Sequence, residues 1–166
     1  MGDYFNFITN SPTETIELGR KIGSQLKGGE VVAICGPLGS GKTHLIKGIA
    51  TGAGAQDSRS INSPTFVIVN EYIGRLDIYH VDAYRLNSIA EFEMLGFDDF
   101  CYPQSVVLIE WADKIESALG AIDYIRIALE HGGKTTRTIH IKNTPEYITF
   151  NIPPNLTEPK RLRKGE

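Results

Sequence analysis

The chain has 166 residues, 41% of them hydrophobic and 22% charged, with a formal net charge of −3. That is enough for one globular domain with a full core, and the slightly acidic balance excludes a global basic field for holding nucleic acid. The two cysteines, Cys35 and Cys101, have no metal-type spacing and suit a reducing compartment.

The N-terminal MGDYFNFITN has no basic region followed by an apolar run, and no apolar stretch approaches the ~20 residues that a membrane span needs. A cytoplasmic protein without membrane contact is expected. Residues 1–152 read as the folded domain, and residues 153–166, which are polar and follow Pro153-Pro154, as a flexible tail.

Tyr4 to Ile8 alternates apolar and polar residues and predicts a short strand. Ser11-Pro12-Thr13-Glu14 joins a capping serine, a first-turn proline and a glutamate three residues after the cap. The helix it opens carries Ile16, Leu18, Ile22 and Leu26 inward and is expected to stop at Gly28-Gly29. Val31 to Cys35 is an apolar run and predicts a buried strand.

Directly after it, Gly36-Pro37-Leu38-Gly39-Ser40-Gly41-Lys42-Thr43 fits G-x-x-x-x-G-K-[ST] at every fixed position. Glycines let consecutive backbone N–H groups turn inward around a phosphate chain. A helix from about Lys42 to Ala50 then points its positive end at the same anion. In this pattern Lys42 reaches the β- and γ-phosphates and the Thr43 hydroxyl binds Mg²⁺. ATP or ADP with Mg²⁺ is the expected ligand. Its expected contacts are Gly39, Ser40, Gly41, Lys42, Thr43 and His44, with Ser11 from the preceding helix.

Residues 57–64 read as a polar loop. Phe66 to Ile73 and Leu76 to Asp82, separated by Gly74-Arg75, predict an antiparallel hairpin. Ser88-Ile89-Ala90-Glu91 is a second capping box and opens a short helix through Leu95. Ser105 to Ile109 is nearly all apolar, as in a central strand buried on both faces. A helix over 112–119 is expected next. A second hairpin then joins 124–130 to 136–142 through His131-Gly132-Gly133-Lys134, and 144–152 adds a candidate strand. Crossover helices together with hairpins predict an α/β fold, three-layered and phosphate-loop NTPase-like, with parallel and antiparallel strands in one sheet.

A nucleotide site needs acids to hold Mg²⁺ and place a nucleophile. Two strands end in one: Asp82 after Ile78-Tyr79-His80-Val81, and Glu110 after Val107-Leu108-Ile109. In open α/β sheets, ligands sit beyond the carboxyl ends of strands, so either acid can face the phosphate loop. The apolar strand before Glu110 favours a functional acid there. Asp82 closes a hairpin strand and reads equally well as an acid entering a solvated loop. Thr65, in Ser63-Pro64-Thr65, is a candidate switch residue on the γ-phosphate side of Mg²⁺, although most such triplets are turns. Trp111 can stack on a base or a partner surface, although a lone Trp is more often core, and His80 reads as structural. Arg85 can pair with a phosphate or with Glu91, the ion pair being favoured, and the basic run Lys160 to Lys164 can touch RNA phosphates but reads first as a solvated terminal cluster.

Four motifs stand in order: GPLGSGKT, SPTFVIVNEY, HVDAYRL and LIEWADK. Together, from about Ser11 to Ile141, they resemble the TsaE family, bacterial ATPases of tRNA threonylcarbamoyladenosine modification. The resemblance implies a lidless mixed-sheet ATPase that turns over ATP on a complex of TsaD and TsaB and meets tRNA only through that complex. It implies Lys42 and Thr43 at the phosphate and Mg²⁺ site, Thr65 as switch threonine, and Asp82 and Glu110 as the two acids. The implied catalytic set is Lys42, Asp82, Glu110 and Thr65, with Thr43, Glu110 and Asp82 toward the metal and Trp111 toward a partner or base. Pro37 departs from the pattern, which usually has Asp there, but it removes none of the amides from Gly39 to Thr43. The rival readings are a small-molecule or nucleoside kinase and a nucleotide sensor. A kinase usually needs an arginine-bearing lid, and here the segment after the site is a hairpin bearing Arg137.

Overall fold

The computed structural model describes residues 3–62 and 68–151. The expected switch residue Thr65, the start of the first hairpin strand, the basic cluster at 160–164 and the rest of the C-terminal tail lie outside the described residues. Seven strands form one sheet: β1 (Asp3–Thr9), β2 (Val31–Cys35), β3 (Val69–Ile73), β4 (Asp77–Asp82), β5 (Ser105–Glu110), β6 (Ile125–His131) and β7 (Arg137–Thr144), in the spatial order β1-β7-β6-β2-β5-β4-β3. The four central strands β6, β2, β5 and β4 are parallel. β1, β7 and β3 join antiparallel at the flanks. The mixed sheet is the one expected, and both predicted hairpins are present.

Every residue of β2 and of β5 is buried, as expected where helices or turns cover both faces. Alternation divides them. Val32, Ile34, Val106 and Leu108 face a core closed by helices α1 (Pro12–Gly23) and α2 (Lys42–Gly52). Val31, Ala33, Val107 and Ile109 face a second core with Ala112, Ile115, Leu119 and Phe92. Phe92 belongs to α3 (Ile89–Met94), which is followed by an unanticipated single-turn helix, α4 (Phe97–Phe100). The result is three layers.

The α1/α2 seam brings the two backbones close together. Gly19 and Gly23 on α1 meet Gly48 and Gly52 on α2, and a Cβ on any of the four would run into main-chain atoms of the opposing helix. Each helix carries its pair four residues apart, so both glycines lie on one face. The seam fixes the N-terminus of α1 beside that of α2, which borders the candidate site.

Three expectations need correction. The first helix stops at Gly23, not at Gly28-Gly29. The Arg75 guanidinium takes the carbonyls of Gly23 and Leu26, ending the helix there, and Gly28 and Gly29 (φ 107° and 87°) turn the chain into β2. Residues 112–119 form two 3₁₀ turns, Ala112–Lys114 and Glu116–Leu119, because Ile115, buried in the second core, has φ −128° and breaks the helix. Residues 145–151 form no strand. Pro145 opens a turn closed by the Ile148 amide, and Ile148 and Phe150 pack into the first core, Phe150 against Phe5 and Phe7. Among the described residues no helix is long and apolar enough to cross a membrane.

Candidate phosphate-loop site

Three parallel strands end side by side. Ile34 of β2 is in register with Glu110 of β5, and Glu110 with Asp82 of β4. The glycine-rich loop leaves β2 one residue beyond Cys35, so loop and acids share the carboxyl edge of the sheet. They line one cavity of about 340 Å³. Gly39, Ser40, Gly41, Lys42, Thr43 and His44 form one wall and Asp82, Glu110 and Trp111 another. Pro12 and Thr15 of α1 and Lys134, Thr135 and Arg137 of the β6–β7 hairpin complete it.

Gly39 (φ 72°) and Gly41 (φ 94°) hold left-handed conformations that other residues rarely adopt. Gly41 is also the N-cap of α2, and no side chain caps that helix. By contrast, Ser11 caps α1 and Ser88 caps α3, each accepting a hydrogen bond from an amide of the first turn. An uncapped first turn facing a cavity, with no acidic residue in it, can accept an anion.

Lys42 is only 4% exposed. Its Nζ donates to the carbonyls of Gly36 and Pro37, both at 2.8 Å, and lies 3.7 Å from the ring centroid of Trp111. Burial lowers the pKa of Lys42, while the charges of Glu110 and Asp113 oppose that shift. Trp111, read from sequence as a base- or partner-stacking residue, lies with its ring over this ammonium. It is held by a left-handed backbone (φ 59°) and a 5.0 Å contact with Tyr84.

The Thr43 hydroxyl donates to Glu110 Oε1 at 2.9 Å. Glu110 Oε2 lies 3.0 Å from His80 Nε2, in a pair with almost no exposure. His80 Nδ1 is buried without a partner, so the proton belongs on Nε2, where it fixes the carboxylate. Sequence reading took His80 as structural. The signal was its spacing: strand period 2 puts His80 and Asp82 on one face, the face that β5 presents Glu110 to. Asp82 Oδ1 accepts from the Tyr84 amide, and burial, reinforced by the nearby Glu110 charge, pushes its carboxyl above the ordinary range.

A hydroxyl and two buried carboxylates make an all-oxygen set that suits a hard cation. Among the described residues no three His, Cys, Asp or Glu side chains are placed to hold a metal by themselves. A Mg²⁺ site usually takes one or two carboxylates and completes its shell from phosphates and water.

Two expected residues stand elsewhere. The Ser11 side chain caps α1, accepting from the Glu14 amide, and its neighbours Pro12 and Thr15 form the wall instead. Arg85 makes no ion pair with Glu91 among the described residues; Glu91 accepts from Asn87. Arg137, on the hairpin that follows the site in sequence, lies on the cavity wall because β6 pairs directly with β2.

The family model described as "Threonylcarbamoyl adenosine biosynthesis protein TsaE" matches residues 9–139. The chain belongs to the TsaE family. Among similar TsaE proteins, one from Bacillus subtilis (strain 168) is 39% identical over 132 residues, covering 79% of this chain and 80% of its own. One from Treponema pallidum (strain Nichols) is 39% identical over 112 residues, covering 68% and 82%. Both are described as tRNA threonylcarbamoyladenosine biosynthesis proteins. The crystal structure of Bacillus subtilis YdiB superimposes with a TM-score of 0.69 and 31% identity, covering 89% of this chain and 90% of that one. The TsaE match spans the loop, both acids and Arg137.

Proposed function

We propose that this chain is a Mg²⁺-dependent ATPase serving threonylcarbamoyladenosine modification of tRNA, and that it acts on the TsaD–TsaB pair. The observation that carries this reading is the 2.9 Å bond between Thr43, at the start of the uncapped helix, and Glu110, at the end of the central strand. It joins the phosphate end of the cavity to its acids.

Each side chain has a role in this reading. Loop amides and Lys42 bind the phosphate chain. Thr43, Glu110 and Asp82 hold the Mg²⁺, which when bound neutralises charge on the phosphates. His80 keeps Glu110 oriented, and Trp111 excludes water from Lys42. Such a site binds nucleotide readily but hydrolyses slowly until a further charge and a placed water complete it, and a charge from another chain adds ~10³–10⁵ to such rates.

The test is steady-state phosphate release at fixed ATP, first alone and then titrated with TsaD and TsaB. Slow release that climbs as the complex forms supports the reading. A flat titration with demonstrated complex formation, or transfer of phosphate to an added hydroxyl compound, overturns it in favour of a sensor or a kinase.

A further inference from the structure

The loop's carbonyls are held by side chains, one after another. Lys42 takes those of Gly36 and Pro37, as described. His131 Nε2 lies 3.1 Å from the carbonyl oxygen of Leu38. Arg137 Nη2 donates to Gly39 at 3.1 Å and Arg137 Nε to Ser40 at 3.1 Å. Five consecutive carbonyls, 36–40, therefore accept from a side chain. A peptide unit is planar with its N–H opposite its C=O, so fixing the carbonyl direction fixes where the amide points. Here the carbonyls of Leu38, Gly39 and Ser40 aim the amides of Gly39, Ser40 and Gly41, which line the cavity, while the Gly36 carbonyl precedes Pro37 and aims no N–H.

We propose that Arg137 and His131, at the base of the β6–β7 hairpin, are positioning residues that hold the phosphate loop in its anion-accepting shape before any ligand arrives. Arg137 is itself anchored. Its Nη1 donates to the carbonyls of Thr136 at 2.9 Å and Gly133 at 3.1 Å, so the guanidinium bridges hairpin and loop. Only a planar fork with several fixed donors can do this; a lysine offers one mobile point charge. The inference rests on the reading of the cavity as a phosphate site. It adds a part of the chain that carries none of the phosphate-loop motif.

The test uses the full chain with Arg137→Ala, Arg137→Lys and His131→Ala. The first readout needs no nucleotide: amide hydrogen exchange of residues 38–43, with the strands as internal control. The second is the affinity for ADP by calorimetry, alongside KM and turnover for ATP.

Both Arg137 variants should exchange faster across the loop. Losing a pre-formed loop lowers the competent fraction, so ADP affinity should fall by on the order of tenfold, with the loss in KM rather than in turnover at saturating ATP. His131→Ala, which frees one carbonyl, should give a smaller change in the same direction. If Arg137→Ala unfolds, the lysine and His131 variants carry the test. Unchanged loop exchange in folded Arg137 variants overturns the proposal. So does a collapse of turnover with loop exchange and ADP affinity intact, which would put Arg137 on the phosphates themselves. Failure of the wild-type chain to bind ADP would instead overturn the proposed function while leaving the exchange readout able to judge the latch.

Discussion

Gly48→Ala tests the packing that sets the site. In an exposed helix interior, Gly→Ala stabilises by about 0.8–1.0 kcal/mol. At position 48 the new Cβ would overlap the Ile16 carbonyl and come within 2.9 Å of the Gly19 Cα. These are main-chain atoms, so no rotamer change relieves the contact, and α1 must move away from α2. Overpacking of this kind costs about 1–3 kcal/mol, with the upper part of the range expected where backbone meets backbone. The net loss should be roughly 1–2 kcal/mol, and at roughly 2–4 °C per kcal/mol for a chain of this size Tm should fall several degrees. Gly120→Ala is the control. Its Cβ would meet only the Ser117 carbonyl, at 3.6 Å, and its φ is −61°, so it should be neutral or slightly stabilising. Urea and thermal unfolding of both variants decide the matter. If Gly48→Ala proves as stable as Gly120→Ala, the seam is not close-packed as described.

Three further predictions concern ionisable groups. The raised pKa of Asp82 means that its ionised form costs stability in the fold. That cost is absent below the ordinary carboxylate range, grows as pH rises through it, and is complete above the raised value. Asp82→Asn should therefore raise the Tm of the ligand-free protein at pH 7, with the gain vanishing in acid, and it should lower Mg²⁺-dependent turnover; a lower Tm at pH 7 would count against this. Glu110→Gln should still bind ATP but turn it over poorly, and normal turnover would make the carboxylate structural. Burial and neighbouring charge raise the pKa of both thiols, so accessibility decides between them: a thiol reagent at neutral pH should label the exposed Cys101 in the native protein and the buried Cys35 only on unfolding.

What the sequence made legible was local. The phosphate loop, both capping boxes and the apolar runs of β2 and β5 are short-range patterns, and they appear where the residues place them. The α1/α2 seam was harder to see, because nothing local to either helix shows that Gly19 and Gly23 on one face Gly48 and Gly52 on the other. The place of Arg137 on the cavity wall was hidden for a related reason: a hairpin's tip can be read from sequence, but not that β6 lies against β2. The expected helix over 112–119 failed because the burial of Ile115 outweighed local propensity. Asp82 and Glu110 were legible as strand-end acids, whereas their adjacency and the His80 contact depended on strand order.

The central claim is nucleotide binding at the loop, and the direct measurement is thermal or urea unfolding of the wild-type chain and Lys42→Ala with and without MgATP or MgADP. At ~100 times the dissociation constant, the wild type should gain about 2.7 kcal/mol. Lys42→Ala should fold and lose most of that gain. An absent gain in the wild type, or an undiminished gain in the variant, would contradict the account.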